Sequence, residues 1–312
     1  MILRGLVTKS TGSWYVVRLE NGTDVECRVK GKFRLQGYKL TNPVAVGDNV
    51  KVLLDEKEKS NGIIIEVFER EQYIVRKSVH ARKHSLIATN LDQAILLVTL
   101  SFPRTSTGFI DRFIVTCERF SIPPILVFNK IDQYGEEEME QLQKWKEIYH
   151  GLGYQTLEVS ALEGDGVSQL KELIKNKKSL LSGHSGVGKS TLSNALIPDL
   201  DLYTQEVTDY GKGQHTTTHA QAYELEVGGW IIDTPGIKEF GLVDILVEDL
   251  DKYFVEIGPI SQTCQYNNCL HLNEPYKGCA VKQAYGRGEI ADSRMDSYLK
   301  LVEEIKDFKH YL

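Results

Sequence analysis

LLSGHSGVGKSTLSNAL, residues 180–196, decides how the rest of the chain is read. Gly183, Gly188, Lys189 and Ser190 stand at the spacing G-x-x-x-x-G-K-[ST]. Glycines let backbone N–H groups approach phosphate oxygens without a Cβ in the way. The stretch before the motif reads as a strand and KSTLSNALI after it as a helix, whose N-terminus would face the same anion. In this pattern Lys189 bridges the β- and γ-phosphates and Ser190 holds Mg²⁺.

Working outward, NKID at 129–132 follows the apolar run PILVFN. A carboxylate at Asp132 can accept from both N1–H and the 2-amino group of guanine, and adenine would leave it unpaired. Lys130 would lay its stem along the base, and Asn129 would tie this loop to the phosphate loop. Ser160-Ala161-Leu162 comes after the next strand, and Ala161 would offer an N–H to the guanine oxygen. DTPG, 233–236, ends the strand WIID. Asp233 would reach Mg²⁺ through water, and the Gly236 N–H would sense the γ-phosphate. DYGKGQHTTTHA lies between the two phosphate motifs, and its Thr217 would complete the Mg²⁺ shell; a polar surface loop is the competing reading. Ile237 stands where many GTPases carry a water-orienting glutamine, and it cannot hydrogen-bond. His215 is then the nearest group to orient water, against the alternative of a solvated loop histidine.

In an ordinary GTP-binding domain the phosphate loop comes first and the base-reading motif late. Here the order is reversed, which predicts a circular permutation. Strands and helices alternate from 91 to 243, so a mostly parallel sheet with helices on both faces is expected there. Residues 1–70 read as five short strands rich in β-branched residues, with Asn21-Gly22 as a hairpin signal, and predict a small barrel of the oligonucleotide-binding (OB-fold) kind. Residues 71–90 are polar and basic and read as a connector. Residues 244–312 leave the alternating rhythm and end in a helical stretch. The segment that would sense the γ-phosphate leads directly into this tail.

The 312-residue chain has a formal charge of −6, unevenly spread. Residues 1–85 hold 16 Lys+Arg against 10 Asp+Glu, a net of +6, and the remainder is at −12. A basic front on an acidic body suggests that the first domain meets a polyanion. No apolar run approaches the roughly 20 residues of a membrane span. The opening MILRGLVTKSTGSW has no signal-peptide core, so the cytoplasm is the expected location. Cys27 and Cys117 stand alone and read as small core residues. Cys264, Cys269, His271 and Cys279 fall within 16 residues and give three thiolates and an imidazole, a closed tetrahedral set suited to one structural zinc ion.

Taken together, the barrel, NKID, SAL, GHSGVGKST, GKGQHTTT, DTPG, the Cys/Cys/His/Cys cluster and RMDSYLKL resemble the RsgA (YjeQ/YloQ) family of circularly permuted GTPases over essentially the whole chain. The resemblance implies an α/β P-loop GTPase domain with an N-terminal all-β OB barrel and a C-terminal zinc-binding helical domain. It implies GTP hydrolysis stimulated by the small (30S) ribosomal subunit, a role in late maturation of that subunit, and contact with 16S rRNA through the barrel. Carried over onto this sequence, Asn129, Lys130 and Asp132 read guanine beside Ser160 and Ala161. Gly183, His184, Ser185, Gly186, Val187, Gly188, Lys189, Ser190 and Thr191 hold the phosphates of GTP or GDP. A monomer with no membrane partner is expected. The rival readings are a P-loop kinase of a small metabolite, which has no need of NKID or the cysteine tail, and an RNA-binding protein that keeps nucleotide as a structural ligand.

Overall fold

A computed structural model describes residues 1–29, 42–55, 60–77, 84–197, 200, 220–233, 242 and 245–310. Five strands open the chain: β1 (Ile2–Ser10), β2 (Tyr15–Leu19), β3 (Asp24–Val29), β4 (Asn49–Leu54) and β5 (Asn61–Val67). Their inward residues alternate, so that Tyr15, Val17, Leu19, Val25 and Cys27 are buried with Val7, Val50, Val52 and Ile64. The strand order is β1-β2-β3-β5-β4, and β1 pairs with β4 to close the barrel. Only β3 and β5 run parallel. This is the Greek-key barrel that the five short strands predict.

Where the sequence reads as a connector, the structure forms a hairpin of β6 (Tyr73–Lys77) and β7 (His84–Thr89). Its apolar residues explain the pairing: Ile74 and Ala88 are fully buried in the core of the following domain. The hairpin is also tied to the barrel by Asp48. That buried carboxylate accepts from Ala45 N at 2.8 Å, Thr89 Oγ1 at 2.8 Å and the Arg70 guanidinium at 2.6 and 2.7 Å. A buried charge is tolerable when it is both paired and hydrogen-bonded in this way.

The alternating part contributes β8 (Gln93–Val98), α1 (Thr107–Arg119), β9 (Pro124–Asn129), α2 (Glu136–Gly151), β10 (Gln155–Val159), α3 (Val167–Ile174), β11 (Lys177–Ser182), α4 (Lys189–Leu196), β12 (Gln221–Glu224) and β13 (Gly229–Asp233). The sheet order is β10-β9-β8-β11-β13-β12, parallel except for β12. Successive residues of β8 point to opposite faces, as the pleat requires. Leu96 and Val98 pack with α1 and α2, while Ile95 and Leu97 pack with α3 and α4. The strand order reverses between the parallel β8 and β11: β8 connects outward to β9 on one side, and the chain after β11 continues to β12 and β13 on the other. Open α/β sheets bind their ligands at such a switch point, beyond the carboxyl ends of the strands. Strand β11 is the fourth parallel strand in sequence yet lies at the centre of the sheet, which is the permutation expressed as topology. The barrel abuts the sheet edge through the Lys9–Gln221 pairing and an Arg18–Glu224 ion pair of 2.7 Å.

The tail holds α5 (Ile257–Ser261), α6 (Ala280–Gly286) and α7 (Asp292–His310), with short 3₁₀ turns at Val247–Tyr253 and Tyr276–Gly278. Its core includes Leu250, Phe254, Val281, Tyr298 and Val302 together with Val115 from α1. No helix among the described residues is long and apolar enough to cross a membrane.

Candidate active site and metal centre

Residues 183–188 turn sharply between β11 and α4. Gly183, Gly186 and Gly188 have φ of 148°, 85° and 96°, a region that side chains with a Cβ rarely enter. Gly188 is also fixed by packing: a Cβ there would lie 2.4 Å from Asn129 Nδ2. That amide is the hub of the site. Asn129 Nδ2 donates to Val187 O at 2.8 Å, and Asn129 Oδ1 accepts from Ala161 N at 3.0 Å. One buried side chain thus joins the phosphate loop, the NKID loop and the SAL loop. The Ala161 N–H, expected to face the guanine oxygen, is therefore taken up by Asn129 in this structure. Ser160 is buried, and its hydroxyl accepts from Glu163 N at 3.1 Å, closing the turn after β10.

Lys189 begins α4. Its ammonium donates to the carbonyls of Gly183 and His184, both at 2.7 Å. Burial lowers its pKa to about 8, and the nearby Asp233 carboxylate opposes that shift. A desolvated cation at the start of a helix is a strong anion receptor, since little solvent screens it. Ser190 and Thr191 occupy the first turn of α4, and Ser185 is exposed at the loop tip. Asp233 is buried at the end of β13, opposite Leu181 of β11. His184 stacks on Phe109 of α1 with ring centroids 3.8 Å apart. Burial, with Lys189 beside it, lowers the His184 pKa.

Asp132 is exposed on a short 3₁₀ turn, and Lys130 before it is held at φ 66°. Lys130 Nζ donates to Phe102 O at 2.8 Å. The sequence reading does not single out Tyr134. Its hydroxyl donates to Asn129 O at 2.7 Å and accepts from Leu100 N at 3.0 Å, so it pins the base-reading loop to the loop after β8. Burial pushes the phenol up to about 12, keeping it a donor. A tyrosine five residues after an asparagine carries no pattern that announces this role. His215, Thr217 and Gly236 lie outside the described residues.

The tail gathers its four expected ligands. One donor atom each from Cys264, Cys269, His271 and Cys279 lies within 4.8 Å of all the others. His271 Nδ1 faces the Cys279 thiol at 3.3 Å and the Cys264 thiol at 3.8 Å. His271 and Cys279 are buried, and Cys279 Sγ also caps α6 by accepting from Lys282 N. Three soft thiol ligands and one imidazole, converging from a segment with little regular structure, fit a tetrahedral metal ion with no open position. Cys27 and Cys117 are buried in the barrel and α/β cores, as lone apolar cysteines should be.

A phosphate loop and a base-reading loop bridged by one asparagine, on a permuted parallel sheet beside an OB-type barrel, define a permuted P-loop GTPase. The RsgA GTPase family profile matches residues 67–243, and the RsgA N-terminal domain profile matches residues 4–64. The chain is 50% identical over 304 residues to a "Small ribosomal subunit biogenesis GTPase RsgA" of Flavobacterium psychrophilum, covering 96% of this chain and 93% of that one. A protein of the same name from Bacteroides fragilis is 46% identical over 310 residues, with 99% of each chain covered. Among solved structures, YjeQ from Thermotoga maritima superposes with a TM-score of 0.78 at 37% identity, covering 98% of this chain and 99% of that one. YloQ, described as a circularly permuted GTPase, gives 0.72 at 28% identity, with coverage of 98% and 96%. The chain belongs to the RsgA family of GTPases. It is thus a GTP hydrolase and not a metabolite kinase.

Proposed function

We propose that this GTPase binds the small ribosomal subunit, assists its late maturation, and hydrolyses GTP under stimulation by it. The observation that carries this reading is end-to-end similarity, at 46–50% identity, to relatives named for small ribosomal subunit biogenesis. Asn129, Lys130 and Asp132 read the base, and residues 183–191 hold the phosphates. Ser190, Thr217 and Asp233 would hold Mg²⁺, which would supply charge neutralisation on the phosphates. Lys189 exchanges its two loop carbonyls for phosphate oxygens, which gives its charge a better partner. Ile237 offers the attacking water nothing, so intrinsic turnover is slow, and His215 is the candidate to orient that water.

The barrel contacts rRNA. Its support is the basic charge of the first 85 residues, shared equally between the barrel and residues 71–85, and an exposed Trp14 whose ring carries the Arg28 guanidinium at 3.8 Å, an arrangement suited to a nucleobase. Cys264, Cys269, His271 and Cys279 hold one structural zinc ion. Functionally the chain divides into an RNA-binding barrel (1–70), the GTPase domain (91–243) with the β6–β7 hairpin packed against its core, and the zinc-binding tail (244–312), acting as a cytoplasmic monomer.

The test is GTP turnover with and without purified small subunits. Stimulation of at least about tenfold is expected, since a partner that completes a GTPase site is worth far more than that elsewhere. Asp132→Asn should lose its preference for GTP over ATP in the same assay. Turnover indifferent to every ribosomal particle would remove the assembly role and leave the hydrolase.

A further inference from the structure

Among the described residues, the two most exposed large apolar side chains inside the chain are Phe102 and Leu162, at 74% and 70%. Both stand at the nucleotide end of the sheet. Strand β9 lies between β8 and β10, so the loop after β8, which carries Phe102, and the loop after β10, which carries Leu162, flank the base-reading loop after β9.

Each flanking loop is fastened to the loop between them. On one side Lys130 Nζ donates to Phe102 O at 2.8 Å, and Tyr134 accepts from Leu100 N at 3.0 Å. On the other, Ala161 N donates to Asn129 Oδ1 at 3.0 Å. The loop after β8 is braced internally as well: Thr105 N donates to Thr99 O at 2.8 Å, and Thr99 Oγ1 bonds Pro103 O. Within it Phe102 sits at φ 44°, and Lys130, which grips it, at φ 66°. A bulky side chain at positive φ is uncommon and persists only where its surroundings enforce it. A strained, braced loop that presents a phenyl ring to water costs stability and gains nothing in packing.

We propose that Phe102 and Leu162 are the two walls of the slot for the guanine base, with Phe102 as its stacking surface. The inference rests on the guanine-nucleotide reading of this site and adds the residues that grip the ring. The division of labour follows from chemistry. The π-face of a purine stacks on a phenyl ring whatever its edge carries. Asp132 therefore selects the base, and Phe102 sets how long it stays. Diphosphate and triphosphate share the base, so the contribution is equal for GDP and GTP.

The test uses the full chain and compares wild type with Phe102→Ala, Phe102→Tyr and Phe102→Trp. GDP and GTP affinities are measured by calorimetry and dissociation by stopped flow. Loss of the ring should weaken GDP and GTP alike by about 5- to 50-fold, mainly through faster dissociation, while Phe102→Tyr stays within about twofold of wild type. Thermal midpoints of all four proteins should agree, because the side chain is exposed. In Phe102→Trp the new indole should be quenched by GDP and unaffected by magnesium tripolyphosphate, a signature that a merely structural residue lacks. Unchanged GDP affinity in Phe102→Ala, or an indole indifferent to GDP, overturns the proposal. So does a variant that keeps its GDP affinity but loses small-subunit binding, which would make Phe102 part of a docking surface. Failure of the underlying reading looks different: wild type itself would bind no guanine nucleotide.

Discussion

Gly188 shows how much of the site one residue can carry. It sits at φ 96°, and the space where its Cβ would go is filled by the Asn129 amide. Gly188→Ala therefore meets two penalties, backbone strain of about 1–3 kcal/mol and displacement of the amide that joins three loops. The expected result is a thermal midpoint several degrees lower and GDP affinity reduced at least about tenfold. Asn129→Ala removes the obstructing amide along with its two hydrogen bonds. If the clash dominates, the double variant should be markedly less destabilised than the sum of the two single changes, by about 1 kcal/mol or more in a urea-unfolding cycle. Strict additivity would mean that strain alone explains Gly188. The motif spacing discloses this glycine in advance, because a phosphate loop demands it. The partner of Ala161 is another matter: its N–H bonds a side chain 32 residues earlier, and no local pattern encodes that choice.

At the scale of elements, α1 and α7 join the GTPase sheet to the tail. Arg294 on α7 is wholly buried. It bonds Asp111 Oδ1 on α1 at 2.7 Å and Glu256 just before α5 at 2.7 and 3.0 Å. Tyr149 of α2 donates to the same Asp111 oxygen at 2.9 Å, and the Arg294 guanidinium lies 4.5 Å from the Phe254 ring centroid. Arg112, the residue after Asp111, pairs with Glu304 of α7 at a partly exposed site, where the two side chains keep 21% and 32% of their accessibility. The two ion pairs should behave very differently. Arg294→Ala strands two buried carboxylates and should cost about 3–5 kcal/mol. Arg112→Ala loses a partly screened pair whose partner can turn to solvent and should cost about 1 kcal/mol. Chemical denaturation of both variants checks this, and comparable losses would contradict the buried clamp. The helices themselves are legible in the alternating rhythm and the helical end of the tail, but the clamp is not, because Asp111 and Arg294 are 183 positions apart. The hairpin β6–β7 was missed for a related reason. Its basic residues read as a connector, and the burial of Ile74, Val75, Leu86 and Ala88 shows that it packs. His215, Thr217 and Gly236 remain readings of the sequence, since they lie outside the described residues.

For the whole molecule, the permutation places the end of β13 just ahead of the tail, so the order of stability between sheet and tail governs how the two communicate. The sheet has strands buried on both faces and two large cores. The ligand-bearing stretch 264–279 lies between α5 of five residues and α6 of seven. Helices that short do not persist on their own. With a metal ion held by Cys264, Cys269, His271 and Cys279, ligation would supply most of the order there, as binding free energy does in small metal-dependent folds. Helix α7 differs: it has 19 residues and keeps its hold on α1 through Arg294 and Glu304 whether or not the metal is bound. Removing the metal with a chelator should therefore open the molecule in two tiers. Amide exchange protection should vanish across 262–286 and persist through most of α7 and the parallel sheet. GDP affinity should stay within about twofold of the metal-bound value, because every residue assigned to the nucleotide lies outside the opened segment. Hydrogen exchange read by mass spectrometry, with calorimetry on the same samples, tests both halves of the expectation. Loss of GDP binding together with tail protection would show that metal, tail and nucleotide site form one cooperative unit. Unchanged protection across 262–286 would show that packing, not ligation, orders the cysteine cluster.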